Sequence, residues 1–484
     1  MLAEPRLLIR GEWVTPGQSG YEVINPATEQ VVGEAPGSSV ADAEAACSAA
    51  ADAFGGAWAR TTPEHRADLL TRFADLLDKR RDEFVPLVQA ETGATLRVTK
   101  QMQVPMAATR FRRYAQVESN LVPLPPSVMP TTALAPGGII GAVGHRAPVG
   151  VVACITSYNF PMTNMAGKLA PALAMGNTVV VKPAWQDPLA VIQMCELFDE
   201  AGFPPGVVNI VSSPDPAPAE AIVASPHVDM ISFTGSTAVG GRIAEVAGRG
   251  MKRLLLELGG KGSAVVFADA DLAAVRAAVS SVWTFHSGQI CTAPTRLIAH
   301  RSVYDEVVGR LAAMAGALKV GDPLERDTVL GPVITAAHRD GVEAHVAAAV
   351  ADGATAVAGG LRPDIDTGFY VAPTLLAACR IDMAAVQEEI FGPVVVAIPF
   401  DDDDEAVALA NGTRYGLYDY VFSADTSRAM GVAKQLRSGS VGINTVQRNH
   451  EAAFGGFKHS GVGRDGGSWG LHAYSEMQSI VWSG

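Results

Sequence analysis

Cys291 follows Ser287-Gly288-Gln289-Ile290, and the Ser287-Gly288 break after a helical pattern exposes backbone N–H groups beside the sulfur. Such groups stabilise a thiolate and later an oxyanion. This cysteine therefore reads either as a nucleophile or as an inert buried thiol. Glu257 stands 34 residues before it, after the apolar run Leu254 to Leu256 and ahead of Gly259-Gly260, where bare backbone can approach a ligand. A carboxylate placed there can act as a general base on water, or it can pair with Lys252 or Lys261. Asn159 stands 132 residues before Cys291, within Tyr158-Asn159-Phe160-Pro161. Its amide can donate to a developing oxyanion or can make a turn. Phe233 to Gly240 contains Gly235-Ser236-Thr237 between a strand pattern and a helix pattern. A helix N-terminus attracts phosphate, and the same residues are ordinary turn formers. Lys182 ends the apolar run Thr178 to Val181, where it either meets a ligand at the carboxyl edge of a sheet or is solvated.

Strands and helices must position these residues. Val149 to Ile155 is a nearly continuous apolar run with β-branched residues, the pattern of a buried parallel strand. Strands over Thr178 to Val181, Val207 to Val211, Met230 to Thr234 and Leu254 to Glu257 alternate with helices over Pro188 to Ala201, Pro218 to Ala224 and Ala238 to Gly248. This rhythm implies a doubly wound parallel sheet. Upstream, Leu7 to Val14 and Tyr21 to Ile24 read as strands and Ala41 to Phe54 as a helix. Pro63 to Glu91 reads as a helical region capped at Thr62 and broken around Pro86. Asp271 to Trp283 carries apolar residues at helical spacing and leads into the Cys291 turn. A second alternating set follows, with strands at Arg296 to His300, Thr355 to Ala358, Val394 to Phe400, Tyr420 to Ser423 and Ser440 to Asn444. Helices over Val303 to Leu318 and Ala336 to Asp352 accompany them. The acidic run Asp401 to Asp404 suits a helix N-terminus better than a metal site. Leu471 to Trp482 reads as a terminal strand that needs a partner.

At 484 residues the chain is too long for one compact core. A formal charge of −13 repels phosphate backbones and argues against a nucleic-acid partner. No apolar run reaches membrane-spanning length, and Met1 to Trp13 lacks the pattern of a secretion signal. Five widely spaced cysteines read as reduced thiols in a cytoplasmic protein.

Five ordered stretches resemble signatures of the aldehyde dehydrogenase superfamily. They are Pro148-Val149-Gly150 through Ser157-Tyr158-Asn159-Phe160-Pro161, then Leu256-Glu257-Leu258-Gly259-Gly260-Lys261, then Gly288-Gln289-Ile290-Cys291. Glu388-Glu389-Ile390-Phe391-Gly392-Pro393-Val394 and Phe454 to Lys458 with Ser460 to Arg464 complete the set. The resemblance implies oxidation of an aldehyde to the acid with NAD or NADP. Cys291 would be the nucleophile, Asn159 the oxyanion donor, Glu257 the base that activates water, and Lys168 a member of a proton relay. It puts Thr156, Tyr158, Lys182, Trp185, Gly235, Ser236, Gly240, Glu389 and Phe391 at the cofactor, and implies no metal. It also implies an α/β fold: a Rossmann-like doubly wound cofactor domain (1–124 and 147–258), a second α/β catalytic domain (259–456), and a small β oligomerisation extension (125–146 and 467–484). A homodimer or homotetramer is the expected assembly.

Several positions depart from the family pattern. Trp185 stands where many members carry a ribose-gripping glutamate, so neither NAD nor NADP is excluded. Ser468 stands where some members have a relay glutamate. Tyr158 replaces a usual tryptophan and His286 a frequent asparagine. Gly167 stands where an aromatic often lines the substrate channel, which implies a wide channel walled by Phe160, Phe285, Ile290 and Phe454. With no arginine in those wall stretches, a bulky apolar or aromatic aldehyde is the expected substrate. Arg448 lies close by in sequence, and if it points inward a semialdehyde becomes the better expectation. A CoA-acylating enzyme would typically lack Glu257, and a silent dinucleotide-binding protein would have lost Cys291, Asn159 or Glu257.

Overall fold

The computed structural model describes residues 5–134 and 136–483. Met1 to Glu4, Ala135 and Gly484, which fall within the expected N-terminal and extension segments, lie outside the described residues. The first sheet has eight strands. In spatial order they are Glu12–Val14, Leu7–Ile9, Val208–Ile210, Thr178–Lys182, Val151–Ile155, Met230–Thr234, Arg253–Glu257 and Gly461–Val462. The five strands from Val208–Ile210 to Arg253–Glu257 run parallel, and antiparallel pairs close both edges. Val151–Ile155 is buried at every position, as a strand covered on both faces must be. Pro161–Met175 and Leu189–Ala201 help cover one face, in a core with Phe73, Phe111 and Phe198; Val40–Gly55 helps cover the other.

The second sheet has seven strands in the order Thr355–Ala358, Thr374–Ala377, Val394–Phe400, Arg296–His300, Ser263–Val266, Tyr418–Phe422 and Ser440–Ile443. All its pairs are parallel except the edge pair Thr355–Ala358 with Thr374–Ala377. Asp402 caps Asp403–Asn411 through Glu405 N, which accounts for the acidic run, and Asp401 and Asp403 pair with Arg301 and Arg428. A third, antiparallel sheet joins Ser475–Ser483 to Gly138–Pro148, which also pairs with Leu121–Pro123 and Ser127–Met129. Among the described residues no helix is long and apolar enough to cross a membrane.

Two expectations need correction. The Pro63 to Glu91 region breaks at Arg80, between Pro63–Lys79 and Arg81–Thr92, while Pro86 sits inside the second helix. Pro86 is exposed at the sixth position of that helix, where it gives up the bond to Asp82 O, yet the helix continues through it. The tail is not strand from Leu471. Gly467–Ala473 is a helix, because Leu471 and Tyr474 bury themselves in the first core, and the strand begins at Ser475.

Candidate active site

A cavity of about 440 Å³ collects residues from three loops at the carboxyl ends of first-sheet strands: Ser157 to Phe160, Thr234 to Ser236, and Glu257 to Gly259. Ile290, Cys291 and Thr292 close it from the side of the second sheet. Ligand sites of open α/β sheets form at such strand ends.

Asp271 caps the helix Leu272–Val279 through the N–H groups of Ala273 and Ala274, and the chain then tightens through Ser281–Thr284. His286, Ser287 and Gly288 follow with φ of 51°, 52° and 75°. Three successive left-handed residues persist only where neighbours hold them. Ser287 Oγ donates to Gly331 O at 2.7 Å, and Gln289 Oε1 accepts from Ile334 N at 3.0 Å. Gly288 is required, because a β-carbon there would stand 2.1 Å from Gly392 O. Cys291 emerges partly exposed, whereas Cys47, Cys154, Cys195 and Cys379 are buried. Burial, and then the Glu389 charge, push its thiol up to about 12, with Arg448 opposing. The resting group is therefore the thiol.

Asn159 Nδ2 donates to Gln289 O at 2.8 Å, while its Oδ1 accepts from Ser157 Oγ at 2.9 Å and Asn164 Nδ2 at 3.1 Å. That network fixes the amide's orientation and leaves one N–H free for a ligand. Glu257 is buried, and neither carboxylate oxygen has a hydrogen-bond partner among the described residues. The ion pairs open to it in sequence do not form. Lys252 Nζ donates to Val228 O at 2.7 Å and to Ser225 O, and Lys261 Nζ is itself buried without a partner. Burial, and next Asp465, hold the Glu257 carboxyl well above its usual range, against Lys168, Arg448 and Arg464. Lys168 Nζ donates to Ser232 Oγ at 3.2 Å, and that oxygen bonds Tyr474 OH at 2.8 Å. Burial pulls the Lys168 pKa down and Asp465 pulls it back up. The acidic neighbour shared by Lys168 and Glu257 is thus Asp465. Ser468 donates instead to Glu118 Oε1 at 2.9 Å, so its identity takes nothing from the Lys168 environment.

At the cavity's other end Glu389 Oε1 accepts from Gly260 N at 2.9 Å. A β-carbon at Gly260 would stand 2.1 Å from Cys291 O, so bare backbone there lets the base strand and the nucleophile loop meet. Burial raises the Glu389 carboxyl to about 7, with the Gly260 N–H holding it back. Phe391, at a φ of 56°, packs edge-on against Tyr158, and its carbonyl meets His338 Nε2 at 2.8 Å. Thr234, Gly235 and Ser236 line this end, and Ser236 caps the helix Thr237–Arg249 through Val239 N. Four further positions expected at the cofactor lie off the cavity wall. Gly240 packs under Leu258. Thr156 is buried with an unpartnered hydroxyl, and its N–H reaches Lys182 O at 3.3 Å. Lys182 Nζ donates to Pro183 O at 3.1 Å, and burial lowers its pKa to about 8. Trp185 is exposed. A helix N-terminus, an anchored carboxylate and unspent hydroxyl and ammonium groups suit a dinucleotide's phosphates and riboses.

The expected wide apolar channel is corrected. Gly167 does not widen it, because a β-carbon there would stand 1.8 Å from Arg110 Nη1; the vacated space holds that guanidinium. Phe285 stacks on Phe160 at 5.7 Å instead of facing the cavity. Phe160, Ile290 and Phe454 do line it, and so do Arg110 and Arg448. Arg110 and Asp465 are the residues that sequence reasoning missed. Arg112 pairs with Asp75 and Asp78, and Arg113 with Glu451 and Glu118. Nothing in the stretch Arg110 to Arg113 marks which arginine turns inward.

Residues 13–480 match the model of the aldehyde dehydrogenase family. The chain is 38% identical over 488 residues to phenylacetaldehyde dehydrogenase of Pseudomonas fluorescens, covering 98% of this chain and 95% of that protein. It is 37% identical over 485 residues to 3-succinoylsemialdehyde-pyridine dehydrogenase of a Pseudomonas species, covering 98% and 97%. A variant of aldehyde dehydrogenase C from Pseudomonas syringae, solved with NAD+ and octanal, superposes with a TM-score of 0.92 at 38% identity, covering 98% of this chain and 96% of that one.

Proposed function

The chain belongs to the aldehyde dehydrogenase family and oxidises an aldehyde to the carboxylic acid with a nicotinamide cofactor; we propose that it does so through a covalent bond to Cys291. The observation that carries this reading is that the one partly exposed cysteine among five shares a cavity with Glu257, a carboxyl without a hydrogen-bond partner among the described residues. Cys291 Sγ gives up its proton to solvent water entering the cavity and attacks the aldehyde carbon. The spare Asn159 N–H and the Cys291 backbone N–H receive the oxyanion. A nicotinamide cofactor, when bound, would supply the acceptor for the hydride that leaves the thiohemiacetal carbon. The thioester left on Sγ is opened by water that Glu257 deprotonates, the carbon–sulfur bond breaks, and the acid leaves. Glu257 passes its proton towards Lys168 and Asp465, the charged groups that act on it most strongly. Lys182, Thr156, Ser236, Glu389 and Phe391 would hold the cofactor. Trp185 offers no carboxylate to repel a 2′-phosphate, so both cofactors serve.

The proposed domain division is 1–124 with 147–258, then 259–456, then 125–146 with 467–484. The third sheet supports a homo-oligomer, since it exposes Val128, Ile139, Val481 and Trp482, apolar area that a second copy can cover. Free thiols suit the cytoplasm. Absorbance of reduced cofactor with octanal tests the chemistry. Turnover is expected with NAD and with NADP, and kcat/KM values differing by more than ~100-fold would remove the dual-cofactor reading. Cys291→Ala is expected to abolish turnover while still binding cofactor by fluorescence titration. Residual turnover near the wild-type rate would remove Cys291 from the mechanism.

A further inference from the structure

The relatives' names leave the far end of the substrate open, and the cavity wall speaks to it. Arg110 and Arg448 line the cavity that holds Cys291, and both also line a smaller cavity continuous with it through Phe454 and Asp465. Neither guanidinium makes a hydrogen bond or ion pair with any described residue, whereas Arg112 and Arg113 beside Arg110 are both paired. Two unpaired cations facing one space repel each other. Surrounding protein, and then the Arg110 charge, hold the Arg448 pKa below its usual value. Asp465 is the one carboxylate among the described residues that lines both cavities, it forms no ion pair with either arginine, and Arg448 is solvent-exposed, so the pair is open to an incoming anion.

Both groups are also positioned. Arg448 Cζ lies 3.8 Å from the Phe454 ring centroid, so its plane rests on the aromatic face and its N–H edge stays free. Arg110 occupies the space that only a glycine at 167 leaves open. Between this pair and Cys291 the wall is apolar, through Phe160, Ile290 and Phe454. We propose that Arg110 and Arg448 clamp a carboxylate at the far end of the substrate, so that the preferred aldehydes are ω-oxo acids with an apolar or aromatic body. This rests on the aldehyde-oxidising reading above and names its substrate class.

The test compares 4-formylbenzoate with its methyl ester, which share a ring and an aldehyde and differ in the charge, with octanal as a third substrate. The wild type is expected to favour the acid over the ester by about 30-fold or more in kcat/KM, the scale of a charge-assisted hydrogen-bond pair. Arg110→Met and Arg448→Met are each expected to cut that preference about tenfold or more, mainly through KM, with partial recovery in the lysine variants. Gly167→Ala leaves both charges in place and pushes the Arg110 guanidinium aside, so it is expected to lower the preference as well. Equal use of acid and ester by the wild type overturns the clamp while the aldehyde reading stands. Equal losses for both substrates in the arginine variants overturn it too, since the arginines would then act on Cys291 and not on the substrate. If none of the three aldehydes is oxidised, the aldehyde reading fails, and calorimetry of 4-formylbenzoate on Cys291→Ala still decides the clamp. Binding that both arginine substitutions abolish supports it; binding indifferent to them overturns it.

Discussion

Glu257 and Glu389 are two carboxyls at one cavity, both raised by burial, and they differ in what holds them. Glu389 accepts the Gly260 N–H, which fixes its direction and keeps its pKa near 7. Glu257 has no hydrogen bond among the described residues, has Asp465 for a neighbour, and is held well above its ordinary range. A hydrogen bond from the backbone stabilises the charged form and anchors it. Its absence leaves a group that exchanges protons more readily than it holds a ligand. The comparison assigns Glu389 to holding the cofactor and Glu257 to moving protons.

Substitutions at the two sites separate those tasks. Glu257→Gln should lower kcat by ~10²- to 10⁴-fold, the usual worth of a general base, with little change in cofactor KM. Glu389→Gln should do the converse, raising cofactor KM by about tenfold, the loss of one charge-assisted contact, with the release of product from the thioester unaffected. Exchange of these two outcomes in steady-state and burst kinetics would reverse the assignment. Asp465→Asn sharpens it further. The Asp465 charge raises the Glu257 pKa, and the base works deprotonated, so activity rises with pH through that pKa. Removing the charge should move the acid limb of the kcat profile to lower pH by about one unit. An unmoved or upward-shifted limb would mean that another group sets it.

The two ends of the cavity also differ in how far they were legible. Cys291, Glu257, Asn159 and Gly235-Ser236 sit in short contiguous stretches at strand or helix ends, where residue type and local pattern carry the information. The strand and helix alternation is legible for the same reason, since buried parallel strands write themselves as β-branched runs. The arginine end is assembled from a helix, the inner face of another helix and a late loop. Gly167 was readable as a missing side chain, but the guanidinium that fills the space comes from Arg110, 57 residues away. Arg448 reaches the cavity wall by resting on the Phe454 ring, a contact within one loop that residue pattern alone does not mark. Asp465 was passed over for Ser468, three residues on along the same turn and helix. Pro86 misled because the proline was read as a break, whereas the helix Arg81–Thr92 continues through it.

The central claim is that an acyl group resides on Cys291 until Glu257 activates water. Its most direct test is the intact mass of Glu257→Gln, mixed with octanal and NAD and quenched in acid, beside the absorbance of the reduced cofactor formed. The account predicts one octanoyl adduct per chain, mapped by peptide analysis to Cys291, and a burst of reduced cofactor of matching size followed by near silence. An unmodified chain that turns over steadily at the wild-type rate would contradict it.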